Sequence, residues 1–295
     1  FYFVNGGTII NNADIHGTTG QSNIGVYSKG GTVTNTGANN VGDSTLAYKP
    51  DGSVDHDNSA YAVGIYGDGS QINTTTSTNI TIGKDAIGMY TRNNQGTTYF
   101  NGTITSTGAG AMGIFVDNGT VQNDGIITMS GDNSYGMVAN KNSTIINNGT
   151  ITMSGKAVTA MFANIGSTIV NNSGATINMT GATDGVDKEG NTVKSVAFLM
   201  GPGSTLENSG TIVVSGTGIS LGTNAIMQAT TGSSYKIPSL INAGIIEATG
   251  TLALDGISVG VKVDPSSIVY QPNPTTGPQF VAKGTSFVAN TITVD

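Results

Sequence analysis

The chain of 295 residues contains no cysteine and no tryptophan, and only 10% of its residues are charged. Without cysteine, a disulfide framework and a thiolate nucleophile are both excluded. The 11 Lys and Arg residues form no cluster and the formal net charge is −7, which argues against nucleic acid and anionic membrane surfaces as partners. No apolar run approaches the roughly 20 residues of a membrane-spanning helix, and no signal peptide is visible.

Strong helix formers are scarce as well, and no stretch shows a sustained helical period. Glycine is abundant, with 44 residues, and Asn, Thr and Ser stand where Lys, Glu and Leu are usually common. These residue types disfavour helix interiors. Val and Ile recur throughout, so the composition is not that of a disordered chain. The scarcity of helix formers and the recurrence of Val and Ile therefore predict an all-β protein.

The stretch "GIFVDNGTVQNDGIITMSG" at 113–131 nearly recurs as "GMVANKNSTIINNGTITMSG" at 136–155. Small residues recur at one phase with steps of 23 to 25 residues, as at Gly88, Gly113, Gly136 and Ala160. A repeat of this length is typical of a solenoid. Each copy holds about three short β-branched runs closed by turn residues. The sequence therefore predicts one right-handed parallel β-helix over residues 1–295, with about nine to ten coils.

In such a fold, inward residues stack on their equivalents in the neighbouring coils. Three core columns are predicted: Ile114, Met137, Met161 and Leu199; Val121, Ile145, Ile169 and Leu206; and Ile127, Ile151, Ile177 and Ile212. A recurring asparagine predicts a ladder of amides bonded along the axis, interrupted by Thr74. Its members are Asn11, Asn35, Asn101, Asn123, Asn147, Asn171, Asn208 and Asn242.

Insertions in a solenoid map to surface loops, which often carry binding residues. Four are predicted, at 38–60, 182–194, 230–238 and 264–278. The first two interrupt the repeat at the same phase, so they are expected to project from one edge, five coils or roughly 24 Å apart. The candidate ligand-binding residues are Tyr48, Lys49, Asp51, Asp55, His56, Asp57, Asp184, Asp187, Lys188 and Glu189. The plain alternative is a tolerated surface excursion.

Oxygen-bearing side chains alternate at Asp51, Ser53, Asp55 and Asp57, which resembles part of a calcium loop. The central glycine and the distal glutamate of such a loop are missing, so an acidic solvated loop is the simpler interpretation. No cofactor and no other metal site are predicted.

An enzyme is not predicted either. Paired carboxylates for glycoside hydrolysis should recur at one phase on neighbouring coils. Asp117 and Asp124 fall in one coil, and their equivalents in the next coil, Lys141 and Asn148, are not acidic. Aromatic platforms for sugar stacking are sparse, and the candidates are Tyr27, Tyr48, Tyr66 and Tyr90.

The copies "GTVQNDGIITMSG" at 119–131, "NSTIINNGTITMSG" at 142–155 and "GSTIVNNSGATINMTG" at 166–181 resemble the passenger repeats of large fusobacterial autotransporter adhesins, the RadD-like family. The resemblance covers nearly the whole chain. It implies a type V secreted protein of the bacterial cell surface, held in the outer membrane by a C-terminal barrel that this sequence does not show. Since the sequence begins inside a repeat, we interpret it as a piece of a longer passenger.

The family binds other bacteria in biofilms, or host-cell glycans and receptors, and it offers no catalytic motif. We therefore expect a surface adhesin segment whose partner is a bacterial surface protein or polysaccharide, or a host glycan or receptor. Two alternatives stay open: a purely structural stalk, and a polysaccharide-active β-helix enzyme.

Overall fold

A computed structural model describes residues 2–18, 22–179, 181–187, 189–201, 204–208, 210–214, 239–242, 245–248, 251–261 and 286–294. Within these ranges the chain forms β-strands and no helix. A helix long and apolar enough to span a membrane is accordingly not found in the part described. The predicted insertions at 230–238 and 264–278 lie outside the described residues.

Each coil contains three short strands. In the first two coils a long strand, β1 (Tyr2–Asn11) or β3 (Ile24–Asn35), supplies the first two, and β2 (Ile15–Gly17) or β4 (Ala38–Val41) the third. Two further strands, β5 (Thr45–Tyr48) and β6 (Val54–Ala60), form a hairpin between the second and third coils.

The next four coils repeat the three-strand pattern without insertion. Their strands are β7 (Val63–Asp68), β8 (Gln71–Thr74) and β9 (Asn79–Ile82); β10 (Ile87–Arg92), β11 (Thr97–Phe100) and β12 (Thr103–Ser106); β13 (Met112–Asp117), β14 (Thr120–Asn123) and β15 (Ile126–Met129); and β16 (Tyr135–Asn140), β17 (Thr144–Asn147) and β18 (Thr150–Met153).

A second hairpin separates the seventh and eighth coils. The strands here are β19 (Thr159–Ala163), β20 (Thr168–Asn171), β21 (Thr176–Met179), the hairpin strands β22 (Gly185–Val186) and β23 (Thr192–Val193), then β24 (Val196–Met200), β25 (Thr205–Asn208) and β26 (Thr211–Val214). Beyond them lie β27 (Ser239–Asn242), β28 (Ile245–Ala248), β29 (Thr251–Val261) and β30 (Ser286–Val294).

Equivalent strands of successive coils pair in parallel and in register, for example Ile127 with Ile151 and Val121 with Ile145. The pairing builds a 17-stranded sheet from the first and second strands and a 9-stranded sheet from the third strands. The predicted all-β, right-handed parallel β-helix is confirmed. The strands described up to Val214 form eight coils, a count slightly different from the nine to ten coils predicted for all 295 residues.

The three core columns stack between the two sheets with one correction. Ile114, Met137 and Met161 continue into Phe198, which is 1% exposed, and not into Leu199. Leu199 pairs instead with Phe162 on the outer side of the same strands. Each copy of the repeat is marked by the recurring small residue, called the small landmark below, and the inward residue directly follows it. The landmark here is Ala197, so the inward residue is Phe198, and the prediction for Leu199 was wrong because side chains alternate along a strand.

The asparagine ladder is formed by the last residues of the second strands. Asn147 accepts a hydrogen bond from Asn123 at 2.8 Å and donates one to Asn171 at 2.9 Å, and all three are 0% exposed. A shorter run joins Asn11 to Asn35 at 2.7 Å. Thr74 pairs with Asn35 and so holds the ladder position of its coil, as the sequence indicates. Asn208 and Asn242 hold the same position in the backbone register after Asn171.

Asn101 does not belong to this ladder, contrary to the prediction. The buried Phe100 pairs with Asn123 and occupies the ladder position of its coil. Asn101 lies one residue later and donates from its side chain to the carbonyl oxygen of Thr74, at 3.0 Å. A large apolar side chain therefore fills the position that the next coil gives to the amide of Asn123.

Candidate functional site: the hairpin corner and the outer aromatic face

The two hairpins leave the β-helix at the same corner, between the third strand of one coil and the first strand of the next. The third strands β4 and β21 are five pairing steps apart, hence roughly 24 Å. The first excursion begins at Gly42 rather than at Ala38, since residues 38–41 form β4 and pair with β9. The second includes β22 and β23 within the predicted 182–194.

A buried serine fixes the base of each hairpin. Ser44 donates to the carbonyl oxygen of Asp85 at 2.7 Å and accepts from the amide of Ala62 at 2.9 Å. Ser195 donates to the carbonyl oxygen of Thr183 at 2.6 Å and accepts from the amide of Val158 at 3.1 Å. Each hydroxyl takes the place of backbone hydrogen bonds that the insertion interrupts. Both hairpins are thereby anchored to the coils of the β-helix.

Most predicted binding residues of the first hairpin are exposed, and their hydrogen bonds are made within the hairpin itself. Tyr48 is 60% exposed, and Lys49 closes the tip through its amide, which donates to the Ser53 carbonyl. Asp51 accepts bonds from the amide and hydroxyl of Ser53, which lower its pKa. Asp55 accepts from Asn58 and from the amide of the exposed Asp57.

The calcium candidates are therefore not brought together around one point. In the described part of the chain, no three acidic or histidine side chains are grouped so that they could hold a metal ion. Asp51 and Ser53 bond to each other at the hairpin tip, whereas Asp55 and Asp57 lie in β6.

The second hairpin shows the same local use of its acids. Asp187 accepts bonds from the amides of Glu189 and Asn191 and from the Asn191 side chain, and these hydrogen bonds lower its pKa. Asp184 forms an ion pair with Lys194 at 2.5 Å. Lys188 lies outside the described residues.

His56 differs from the other predicted residues because it reaches the β-helix itself. Its Nδ1 lies 2.6 Å from the hydroxyl of Tyr61, and the two rings stack with centroids 6.2 Å apart. Both side chains line an apolar groove of about 370 Å³ on the outer side of the first strands. The other lining residues are Ile24, Val63, Tyr66, Ile87, Tyr90, Met112 and Phe115.

A column of four aromatic rings runs along the outer side of the first strands, and three of them, Tyr66, Tyr90 and Phe115, line this groove. Tyr27, Tyr66, Tyr90 and Phe115 occupy one register position on successive coils, each two residues after the small landmark. Ring centroids are 4.8 Å apart for Tyr27–Tyr66 and for Tyr66–Tyr90, and 5.1 Å for Tyr90–Phe115. All four rings are half-buried and stand outside the core cluster. Three of the predicted sugar-stacking tyrosines thus lie in one row, and Tyr48 lies on the hairpin.

A second outward column follows two residues along the same strands, and its charges alternate. Lys29, Asp68, Arg92 and Asp117 pair in register, so each cation faces an acid of the neighbouring coil. The Arg92 guanidinium lies 3.0 Å from Asp68 Oδ2, and Lys141 Nζ lies 3.1 Å from Asp117 Oδ2. Arg92, Asp117 and Lys141 border a polar cavity of about 720 Å³, whose lining also includes Asn118, Asn140 and Asn142.

Burial raises the pKa of Tyr66 and raises that of Tyr90 to about 12, with a smaller contribution from nearby negative charges, including Asp117. The Arg92 guanidinium, followed by the Asn93 amide, holds the pKa of Asp68 below its usual value despite partial burial. At neutral pH the face therefore presents protonated phenols beside an ionised carboxylate.

The raised pKa of Tyr90 predicts a loss of stability in alkali. Above about pH 10 the unfolded tyrosine releases its proton while the folded one keeps it, so the free energy of unfolding should fall as the pH rises towards about 12. Urea unfolding across this pH range, with Tyr90→Phe alongside, measures the effect. A Tyr90→Phe variant that loses stability as steeply as the parent would contradict it.

Sequence reasoning missed Phe115, Tyr61 and the charged column. The columns have a detectable signal, since their members lie two and four residues after the small landmarks at Gly25, Gly64, Gly88 and Gly113. Tyr61 has none, because its role depends on how the hairpin folds back over Tyr66 and Tyr90.

One family model matches part of the chain: the BigA third pectate lyase-like domain, over residues 93–201. This range runs from the turn after β10 to the end of β24 and includes Phe115, Asp117 and the second hairpin. No curated protein and no solved structure matches the chain. Over the matched residues the chain is thus similar to a pectate lyase-like β-helix domain of a bacterial surface-protein family.

Proposed function

We propose that this chain is a non-enzymatic adhesive segment of a bacterial surface protein, which attaches the cell to other bacteria or to host cells. The observation that carries the proposal is the corner described above: two anchored hairpins project from one edge of a rigid β-helix, and the first borders an exposed aromatic groove. Binding residues held by a rigid scaffold are the usual arrangement of a recognition surface.

The partial family match supports a place at the cell surface, because domains of the BigA type occur in bacterial surface proteins. An autotransporter passenger of the RadD-like kind is the finer form of the proposal, and it depends on the resemblance of the repeats. Its partners would be a bacterial surface protein or polysaccharide, or a host glycan or receptor.

An enzymatic role is less well supported by the charged column. A glycosidic general acid needs a raised pKa, whereas the pKa of Asp68 is lowered by Arg92. Asp68 and Asp117 are also separated by the coil of Arg92.

Attachment to partner bacteria and cultured epithelial cells tests the adhesive proposal. We would compare the 295-residue chain with a variant whose residues 46–59 are replaced by a short Gly-Ser turn, which keeps Ser44 and Tyr61. A second variant replaces residues 186–192 in the same way and measures the contribution of the other hairpin. We expect the parent to bind, the first variant to lose most attachment and the second variant to lose less, because only the first hairpin borders the aromatic groove. If the parent binds neither cell type, the proposal fails and the stalk alternative replaces it.

A further inference from the structure

We infer that the outer face formed by the aromatic and charged columns binds an uncharged carbohydrate chain that lies parallel to the axis of the β-helix. The inference depends on the proposed function for its biological setting and deepens it by naming the ligand class. It also adds the outer face of the coils beneath the first hairpin to the contact surface.

The geometry of the face is that of a strip rather than a closed pocket. Coils are spaced about 4.8 Å apart, so the column from Tyr27 to Phe115 extends about 14 Å along the axis. The charged column lies two residues further along each strand, about 7 Å away. Tyr27 and Tyr66 cover each other's faces, so an extended chain of sugar rings laid on this strip would contact the outward edges of those two rings. Its hydroxyls would face Asp68 and Arg92.

The rings are fixed before any ligand binds. Tyr66 stacks on Tyr27 with an interplanar angle of 7°, and it meets Tyr90 edge-on at 83°. Phe115 continues the column with a second edge-on contact to Tyr90, also at 83°. Because each ring is held by the next, little side-chain freedom remains to be lost on binding, as is typical of tyrosine-rich recognition surfaces.

The charge pattern favours an uncharged ligand. Each carboxylate of the column has a cation within 3.0 to 3.1 Å, so neither sign dominates the strip. The net charge of −7 would repel an acidic polymer at long range. Hydroxyl groups both donate and accept hydrogen bonds, which matches a column where donors and acceptors alternate. The side chains of Arg92 and Lys141 are 44% and 68% exposed and remain open to further bonds.

A peptide strand is a poorer occupant. Every strand from β7 to β19 pairs on both sides with the coils above and below, so this face offers no free strand edge for an added β-strand. Recognition must therefore use side chains alone, which suits a polymer that carries its hydrogen-bonding groups on every ring.

The test is binding of the purified chain to immobilised polysaccharides: a β-glucan, a mannan and a galactan, with polygalacturonate as the anionic comparator. We expect binding to at least one neutral polymer that changes little with salt. The Tyr66→Ala/Tyr90→Ala variant should bind it at least about tenfold more weakly. The matched control is Tyr99→Ala, which removes a 43% exposed ring from the second strands and should bind like the parent.

Two further variants protect the test against misfolding. Tyr66→Phe/Tyr90→Phe keeps the rings and should retain binding, whereas Asp68→Asn/Arg92→Gln keeps the rings and should weaken it. Binding to no neutral polymer, binding to polygalacturonate alone, or parent-like binding by the double alanine variant would each overturn the inference. If the parent attaches to cells but binds no neutral polymer, the carbohydrate inference fails while the adhesive proposal stands. If the parent binds a neutral polymer through this face but attaches to no cells, the adhesive proposal fails while the carbohydrate inference stands.

Discussion

Gly149→Ala should lower the free energy of unfolding by about 3 kcal/mol or more, although it adds a single methyl group. A Cβ atom at Gly149 would lie 2.0 Å from the carbonyl oxygen of Gly125 in the coil below. That oxygen cannot retreat freely, since it accepts the backbone hydrogen bond from Thr150 at 3.0 Å. Equilibrium unfolding in urea, followed by far-ultraviolet circular dichroism, measures the loss.

Gly174→Ala is the matched control for this effect. Gly174 lies in a turn with φ +87° and has nothing within 4 Å of the position of a Cβ atom. Only the left-handed backbone disfavours alanine there, at about 1–2 kcal/mol. If Gly174→Ala proved as damaging as Gly149→Ala, close packing between coils would not be the reason for glycine at position 149.

Asn147→Ala is expected to cost about 2–3 kcal/mol, because it removes a fully buried amide that bonds both the coil below and the coil above. The loss comes mainly from polar neighbours that give up a partner away from water. Thermal and urea unfolding of the purified variant provide the measurement.

The adjacent Asn148 offers a close comparison. Its amide donates to Asp124 at 2.8 Å and accepts from Asn172 at 2.6 Å, the same kind of axial pairing on the outer side of the turn. Asn148→Ala should cost less than about 1 kcal/mol, since water can replace the lost bonds. Equal losses for the two variants would show that burial does not set the strength of the ladder.

The fold was predictable because inward positions are under the same constraint in every copy. Ile127, Ile151 and Ile177 stack in register, and their spacing alone indicates this. Two positions differ from the prediction because the type of residue does not always mark its position in the coil. Phe100, and not Asn101, holds the ladder position, and Phe198, and not Leu199, continues the core column after the second insertion.

The candidate site was only partly predictable. The common corner of the two hairpins follows from the phase of the insertions, and Tyr27, Tyr66 and Tyr90 are among the sugar-stacking candidates that the sequence offers. Their stacking into one column was not predictable, because outward residues vary from copy to copy. The contact of His56 with Tyr61 depends on how a hairpin folds, which no repeat period specifies.

The parallel register has a mechanical consequence for the proposed adhesive segment. The hydrogen bonds between coils run along the axis. A pull on the two ends would therefore break the contacts between coils one coil at a time, and the contacts of the whole sheet would not resist the force together. Each coil that detaches would release 23 to 25 residues, or about 80 Å of extended chain. Because coils contact only their neighbours, the remainder would stay folded. The molecule would then lengthen in steps under tension, as a shock absorber does, before the attachment itself is lost.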